Sequence, residues 1–157
     1  MTESQYPGIQ TKDFDLEATY TEGQLSGYRW YDKKGVKPAF PFGHGLTYGA
    51  FTFGPVQVTG RVVTFTVARR QGTGCETPQV YLSYPGAETD PKAPSKVLRH
   101  FVKTCKPSTT VQYTVRDADI SNWDVEAQAW KLTPGRYSIH IGASSQDILQ
   151  TTTADFA

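Results

Sequence analysis

The chain has 157 residues, the size of one ordinary domain or one domain with an extension, and long enough to bury a single core. Sixteen basic side chains stand against fifteen acidic ones, for a net charge of +1, and no basic run exceeds two residues. That balance excludes the electrostatic footprint of a nucleic-acid or anionic-membrane binder, and no apolar run approaches the length of a membrane span. No positively flanked hydrophobic segment opens the chain, so no secretion signal is visible. Its single asparagine, Asn122, precedes Trp123-Asp124 and makes no glycosylation acceptor.

Residues 1–49 carry no regular period. Asp13 to Tyr20 is short and mixed, and from Tyr20 to Tyr48 aromatic residues alternate with glycine and proline. Glycine lets backbones approach closely and proline fixes the path, so the stretch reads as a ribbon crossing a junction. Tyr28, Trp30, Tyr31, Phe40 and Phe42 are its candidate docking or sugar-contacting residues. Burying each would contribute about 1.5–3 kcal/mol, so the ribbon is expected to be ordered by docking.

From Phe51 onward the alternation has a period of two. Val63, Phe65 and Val67 alternate with Thr64 and Thr66; Val80, Leu82 and Tyr84 with Gln79, Tyr81 and Ser83. Val111, Tyr113 and Val115, and later Tyr137, Ile139 and Ile141, repeat the pattern. Each set predicts one face on a core and the other in water. Turn signals at Arg70–Gly74, Pro85–Ala87, Lys106–Ser108 and Thr133–Gly135 separate them, with Pro134-Gly135 read as a hairpin tip. Short strands at this spacing give an all-β, immunoglobulin-like two-sheet sandwich over residues 50–157, preceded by the junction segment 1–49.

Candidate sites are sparse. No Gly-x-Ser-x-Gly elbow accompanies the serines, so nothing points to a nucleophilic triad. His44 lies between Gly43 and Gly45, while His100 and His140 fall on the polar phase of their strands. Three scattered histidines lack metal-ligand spacing, the acids form no calcium loop, and no cofactor is expected. Trp123 and Trp130 flank a hairpin. The sequence favours both capping the core; exposed side by side, they would instead form a stacking platform for sugar rings. If strands 79–84 and 96–103 close near residue 90, facing residues sum to about 180. Leu82 then faces Leu98, and Cys75 faces Cys105 within bridging reach, with two buried thiols as the alternative. A bridge would favour a secreted or extracellular setting.

Residues 20–48, with Gly27-Tyr28-Arg29-Trp30-Tyr31-Asp32 and Phe40-Pro41-Phe42-Gly43-His44-Gly45-Leu46-Thr47-Tyr48, closely resemble the end of the α/β domain of family-3 glycoside hydrolases, the β-glucosidases and β-xylosidases. Gln5-Tyr6-Pro7-Gly8 resembles the approach to it. Val80–Pro85, Lys96–Phe101, Asp119–Val125 and Gly142–Ile148 are similar, in order, to the C-terminal fibronectin-type-III-like domain of that family. Ala68–Cys75 and Cys105-Lys106-Pro107 depart from its usual turns. The resemblance implies that the nucleophilic aspartate and the acid/base glutamate belong to other parts of the family's chain. Glu22 is the one carboxylate inside the junction motif from Tyr20 to Arg29 and reads as a polar or capping contact there. Glycoside hydrolysis needs two flanking carboxylates, so no activity is expected from this chain alone. The expected role is a non-catalytic module bracing the catalytic domains of a family-3-like glycosidase, in the same or a separate chain, with possible contact to oligosaccharide or polysaccharide. A stand-alone carbohydrate-binding module and a protein-interaction sandwich without a sugar role are the rivals.

Overall fold

The computed structural model describes residues 21–157, so Gln5–Gly8 and the run from Asp13 to Tyr20 lie outside the described residues. One short helix, α1 (Tyr28–Lys34), precedes ten strands. These are β1 (Gly49–Phe53), β2 (Gln57–Thr59), β3 (Val62–Gly72), β4 (Gln79–Ser83) and β5 (Val97–Phe101). β6 (Ser108–Thr114), β7 (Ser121–Asp124), β8 (Ala129–Leu132), β9 (Gly135–Gly142) and β10 (Ile148–Phe156) follow.

β3 is the spine of the first sheet. β6 runs along one of its edges, while β2 and β1 share the other, against Val62–Thr64 and Val67–Gly72 respectively. The second sheet has the order β10-β9-β4-β5, all antiparallel. Alternation puts Val63, Phe65, Val67, Val111 and Tyr113 on the inner face of the first sheet. They meet Val80, Leu82, Tyr137, Ile139 and Ile141 of the second in one core. Apolar burial on both inner faces is what holds two such sheets together. At one end the Tyr137 hydroxyl donates to the Thr133 carbonyl at 2.6 Å, the corner contact typical of this sandwich class. Burial pushes that phenol's pKa up to about 12. Along the open side, Gln150 joins the sheets: its amide donates to Phe53 O and Gly54 O and accepts from Val56 N.

Four local expectations change. β3 continues through Gly72 because β1 pairs with that end, so Arg70–Gly72 is strand rather than turn. Pro134-Gly135 is not a hairpin tip. β8 pairs with β7, not β9, and Thr133 N extends that hairpin to Ile120 O before the chain crosses into the second sheet. Leu82 faces Val97 rather than Leu98, because a bulge at Arg99 shifts the β4–β5 register by one. Beyond the bulge the register is the one expected about residue 90, with Val80 facing His100 and Glu76 bridging Thr104. Finally, the outer face of β4 is not in water: Gln79 and Tyr81 are as buried as Val80 and Leu82.

Phe65→Ala or Ile139→Ala should cost about 2–5 kcal/mol in urea unfolding, because each removes a fully buried side chain from a central strand. Thr64→Ala, on the opposite phase of β3, should stay within about 1 kcal/mol. A larger loss at Thr64 would mean the buried face of β3 is the other one.

Candidate functional site

What covers β4 is the aromatic ribbon. Gly27 and Gly35 bracket α1. Gly35 takes a left-handed conformation (φ 63°) in which the Gly35 and Val36 N–H groups close the helix end onto Asp32 O and Tyr31 O. This helix shows no period because it is only seven residues long and its apolar side is aromatic. Tyr28 and Asp32, one turn apart, point the same way, at the second sheet. The Tyr28 ring stacks on Phe42 at 4.6 Å and meets the edge of Tyr81 at 6.0 Å, and its hydroxyl accepts the Leu98 N–H at 2.8 Å. Asp32 is clasped from both flanks: Lys96 Nζ donates to Oδ2 at 2.7 Å and Gln146 Nε2 to Oδ1 at 3.2 Å. Both ion-pair partners are largely shielded from water. Lys33 Nζ adds a bond to Ala87 O at 2.7 Å, and Ser145 N donates to Phe42 O at 2.9 Å.

Gln79 is the centre of this contact. Its amide donates to Gly43 O at 3.1 Å and Ala143 O at 2.8 Å, while its carbonyl accepts the Tyr81 hydroxyl. Gly43 is required there, since it sits at φ +78° and a Cβ would fall 2.4 Å from the Gln79 amide. Burial, then the charges of Tyr28 and Asp32, pushes the Tyr81 phenol far above its ordinary pKa.

The ribbon's outward side is bare. Phe40, Leu46, Tyr48 and the neighbouring Phe101 of β5 are 77, 95, 93 and 64% exposed. Leu46, Tyr48 and Phe101 share the wall of an open cavity of about 740 Å³, where Glu76, Lys103 and Asp147 supply the charged groups. Cys75, also on that wall, is bonded to Cys105, with Cα atoms 4.1 Å apart. Of the aromatics singled out from the sequence, Tyr28 turns inward and Phe42 shields it while remaining half open. Phe40 faces solvent, and Trp30 packs edge-on against Tyr31 at 5.4 Å. Leu46, Tyr48 and Phe101 were missed, although Leu46 and Tyr48 lie within the recognised motif.

Trp123 and Trp130 do not cap the core. They form a cross-strand pair on the β7–β8 hairpin, centroids 5.7 Å apart and planes at 75°, 46 and 69% exposed. Their strands belong to neither sandwich sheet, so their side chains cannot reach between the sheets.

Glu22 joins the turn leading to α1 through its backbone, where Glu22 O accepts Leu25 N at 3.0 Å, while its buried carboxylate Oε2 has no hydrogen-bond partner among the described residues. His44 lies beside Phe40, centroids 5.7 Å apart. His140 holds its outward phase. The Ser83 hydroxyl gives its proton to Ser95 O at 2.6 Å, so it accepts from His140 Nε2–H at 2.8 Å, and Nδ1 accepts from Thr151 at 3.0 Å. That polarity is the reverse of what a nucleophilic serine needs. His100 departs from its expected polar phase: at the Arg99 bulge it turns to stack on buried Tyr113 at 5.1 Å. Among the described residues no three His, Cys, Asp or Glu side chains converge to hold a metal.

Residues 76–145 match the fibronectin type III-like domain. The chain is 33% identical over 156 residues to β-glucosidase cel3A of Pyricularia oryzae, covering 82% of this chain and 22% of that one. The β-glucosidase DesR of Streptomyces venezuelae, solved with D-glucose, superposes with TM-score 0.83 at 33% identity over 99% of this chain and 20% of its own. The β-D-glucoside glucohydrolase of Trichoderma reesei superposes at 0.80 with 28% identity, over 98% of this chain and 25% of its own. The chain thus spans about a fifth of the length of the curated relatives it matches.

Asp32→Ala should cost about 3 kcal/mol, because it strands the shielded Lys96 ammonium, and Asp32→Leu combined with Lys96→Met should recover most of the loss. A single variant as stable as the parent would mean the clasp does not hold the ribbon. A second expectation concerns acid. Burial, then the Lys96 charge, lowers the His140 pKa; burial, then the Arg116 charge, lowers that of His100. The unfolded chain therefore binds protons first, so their contribution is present above about pH 6.5 and is lost as pH falls through the folded pKa values. Replacing both with glutamine should flatten the fall in urea midpoint between about pH 7 and about pH 5. An unchanged slope would assign the acid sensitivity elsewhere.

Proposed function

We infer, starting from a chain that carries the fibronectin type III-like domain found in family-3 β-glucosidases, that it works as a non-catalytic module seated on the catalytic domains of such an enzyme. One observation carries this reading: Leu46, Tyr48 and Phe101 hold three large apolar side chains in water around a single rim. Apolar surface this concentrated on a folded domain marks a contact waiting for a partner. Relatives about five times longer supply a partner of the right kind, and the ribbon, which bears two of the three as well as exposed Phe40, is the stretch resembling the end of their α/β domain. The ribbon is thus two-sided, with Tyr28, Asp32 and Gly43 held by the sandwich and Phe40, Leu46 and Tyr48 left for the neighbour. The Cys75–Cys105 bridge supports an oxidising compartment for the whole.

The module alone should release no chromophore from aryl β-glucosides, and it should bind the separately produced catalytic portion of the longer enzyme in calorimetry. Leu46→Asp with Tyr48→Ala should weaken that binding by about 2 kcal/mol or more, as loss of interface anchors does. Undiminished binding by the doubly substituted module would remove the rim as the docking face. Turnover that travels with the module and disappears in Glu22→Gln would overturn the non-catalytic reading.

A further inference from the structure

The β7–β8 hairpin carries a second apolar surface that docking does not use. Pairing Trp123 with Trp130 and Ser121 with Leu132 puts both indoles and Leu132 on one side. Asn122, Asp124, Ala129 and Lys131 occupy the other. That polar side is satisfied internally, by Lys131 Nζ on Asp124 at 2.6 Å and Asn122 Nδ2 on Thr133 Oγ1 at 2.9 Å. The apolar side is not. Trp130 and Leu132 remain 69 and 46% exposed, and among the described residues neither indole N–H has a partner within the protein. An edge-to-face pair explains how a two-stranded hairpin holds its shape, since such hairpins are marginal alone. It leaves unexplained why the open indole faces water.

We propose that this face is a sugar-stacking site for a short stretch of a neutral β-linked glucan chain. A pyranose offers an apolar C–H face ringed by hydroxyls, and the hairpin offers the complement: an open indole face with unspent N–H donors at its edge. Charge agrees, because the one ion pair on the hairpin cancels itself on the opposite side, leaving an uncharged face for an uncharged ligand. Size agrees as well. Two aromatics and a leucine supply a few hundred Å² at most, well short of the roughly 800 Å² that each partner contributes to a specific protein interface. A pair of sugar rings needs no more. That the glucan is β-linked rests on the β-glucosidase setting inferred above; the stacking face itself does not.

The test is titration of the intact chain with cellohexaose, followed by the indole N–H resonances in nuclear magnetic resonance, with the apolar dye ANS as a non-sugar control. Saturable shifts at Trp123 and Trp130 but not at Trp30 are expected, together with at least a tenfold weakening in Trp130→Ala. Leu132→Asp, which keeps the tryptophan pair and charges the face, should weaken binding similarly and so covers the case in which Trp130→Ala loosens the hairpin. Neither variant should alter binding to the catalytic portion, whereas Leu46→Asp with Tyr48→Ala should alter only that, so the two readings fail separately. No shift with cellohexaose, or equal affinity in both hairpin variants, would overturn the proposal. Dye binding at the tryptophans without sugar binding would also overturn it, assigning the face to a protein contact.

Discussion

The structure depends on a strand with two dry faces. β4 sits between β9 and β5 with Val80 and Leu82 in the sandwich core, and Gln79 and Tyr81 on the other side are equally shielded. A buried amide and phenol are tolerable only when hydrogen-bonded, so the second face dictates its own cover. Gln79 spends its amide on the backbones of residues 43 and 143 and its carbonyl on Tyr81. The ribbon is therefore not an appendage laid on a finished domain. It supplies the acceptor at Gly43, the ring of Tyr28 and the carboxylate of Asp32, and the sheet supplies Lys96, Gln146 and the Leu98 amide in return.

This arrangement fixes where function can lie. With Tyr28 and Asp32 turned inward and Phe42 and Gly43 bonded to the sheet, Phe40, Leu46 and Tyr48 are left outward, so the most exposed apolar residues of the described chain lie beside some of its best-anchored ones. Three polar groups that invite a catalytic reading are committed to structure. Ser83 is an acceptor for His140, His100 stacks on Tyr113, and Asp119 is tied to Arg116 through its side chain and backbone. Burial alone would raise the Asp119 pKa; the Arg116 hydrogen bonds hold it below the ordinary range. The free apolar and aromatic surface includes two patches that differ in kind: a broad rim suited to a domain, and a narrow indole pair suited to a ring.

Period-two patterning was enough to read the sandwich, since Val63, Phe65 and Val67, or Tyr137, Ile139 and Ile141, allow only one inward phase. It could not say that the opposite phase of β4 is covered, because Tyr81 and Gln79 are as common on a wet face as on a covered one. The spacing of Cys75 and Cys105 about residue 90 was legible, but the bulge at Arg99 was not, since it depends on Tyr84 and Tyr113 drawing Arg99 and His100 to one side. For Trp123 and Trp130 the sequence favours core caps over an exposed platform because large aromatics usually cap cores. The pairing of β7 with β8, which carries them away from the sheets, is decided by Thr133 and Tyr137 at the corner and leaves no periodic signal. Gln150, bridging three backbone groups, was invisible for the same reason. In the candidate site, residue types pointed to the right segment, and only the fold could say which rings face in.

The central claim is that ribbon and sandwich form one cooperative unit. Native-state hydrogen exchange tests it without altering a residue, because the Leu98 and Ser145 amides are bonded across the contact, to Tyr28 and Phe42. If the ribbon is integral, both should exchange only with global opening, at the rate of core amides such as those of β9. Exchange of Leu98 and Ser145 at the rate of exposed turns, while β9 stays protected, would show a ribbon that comes and goes and would contradict the account.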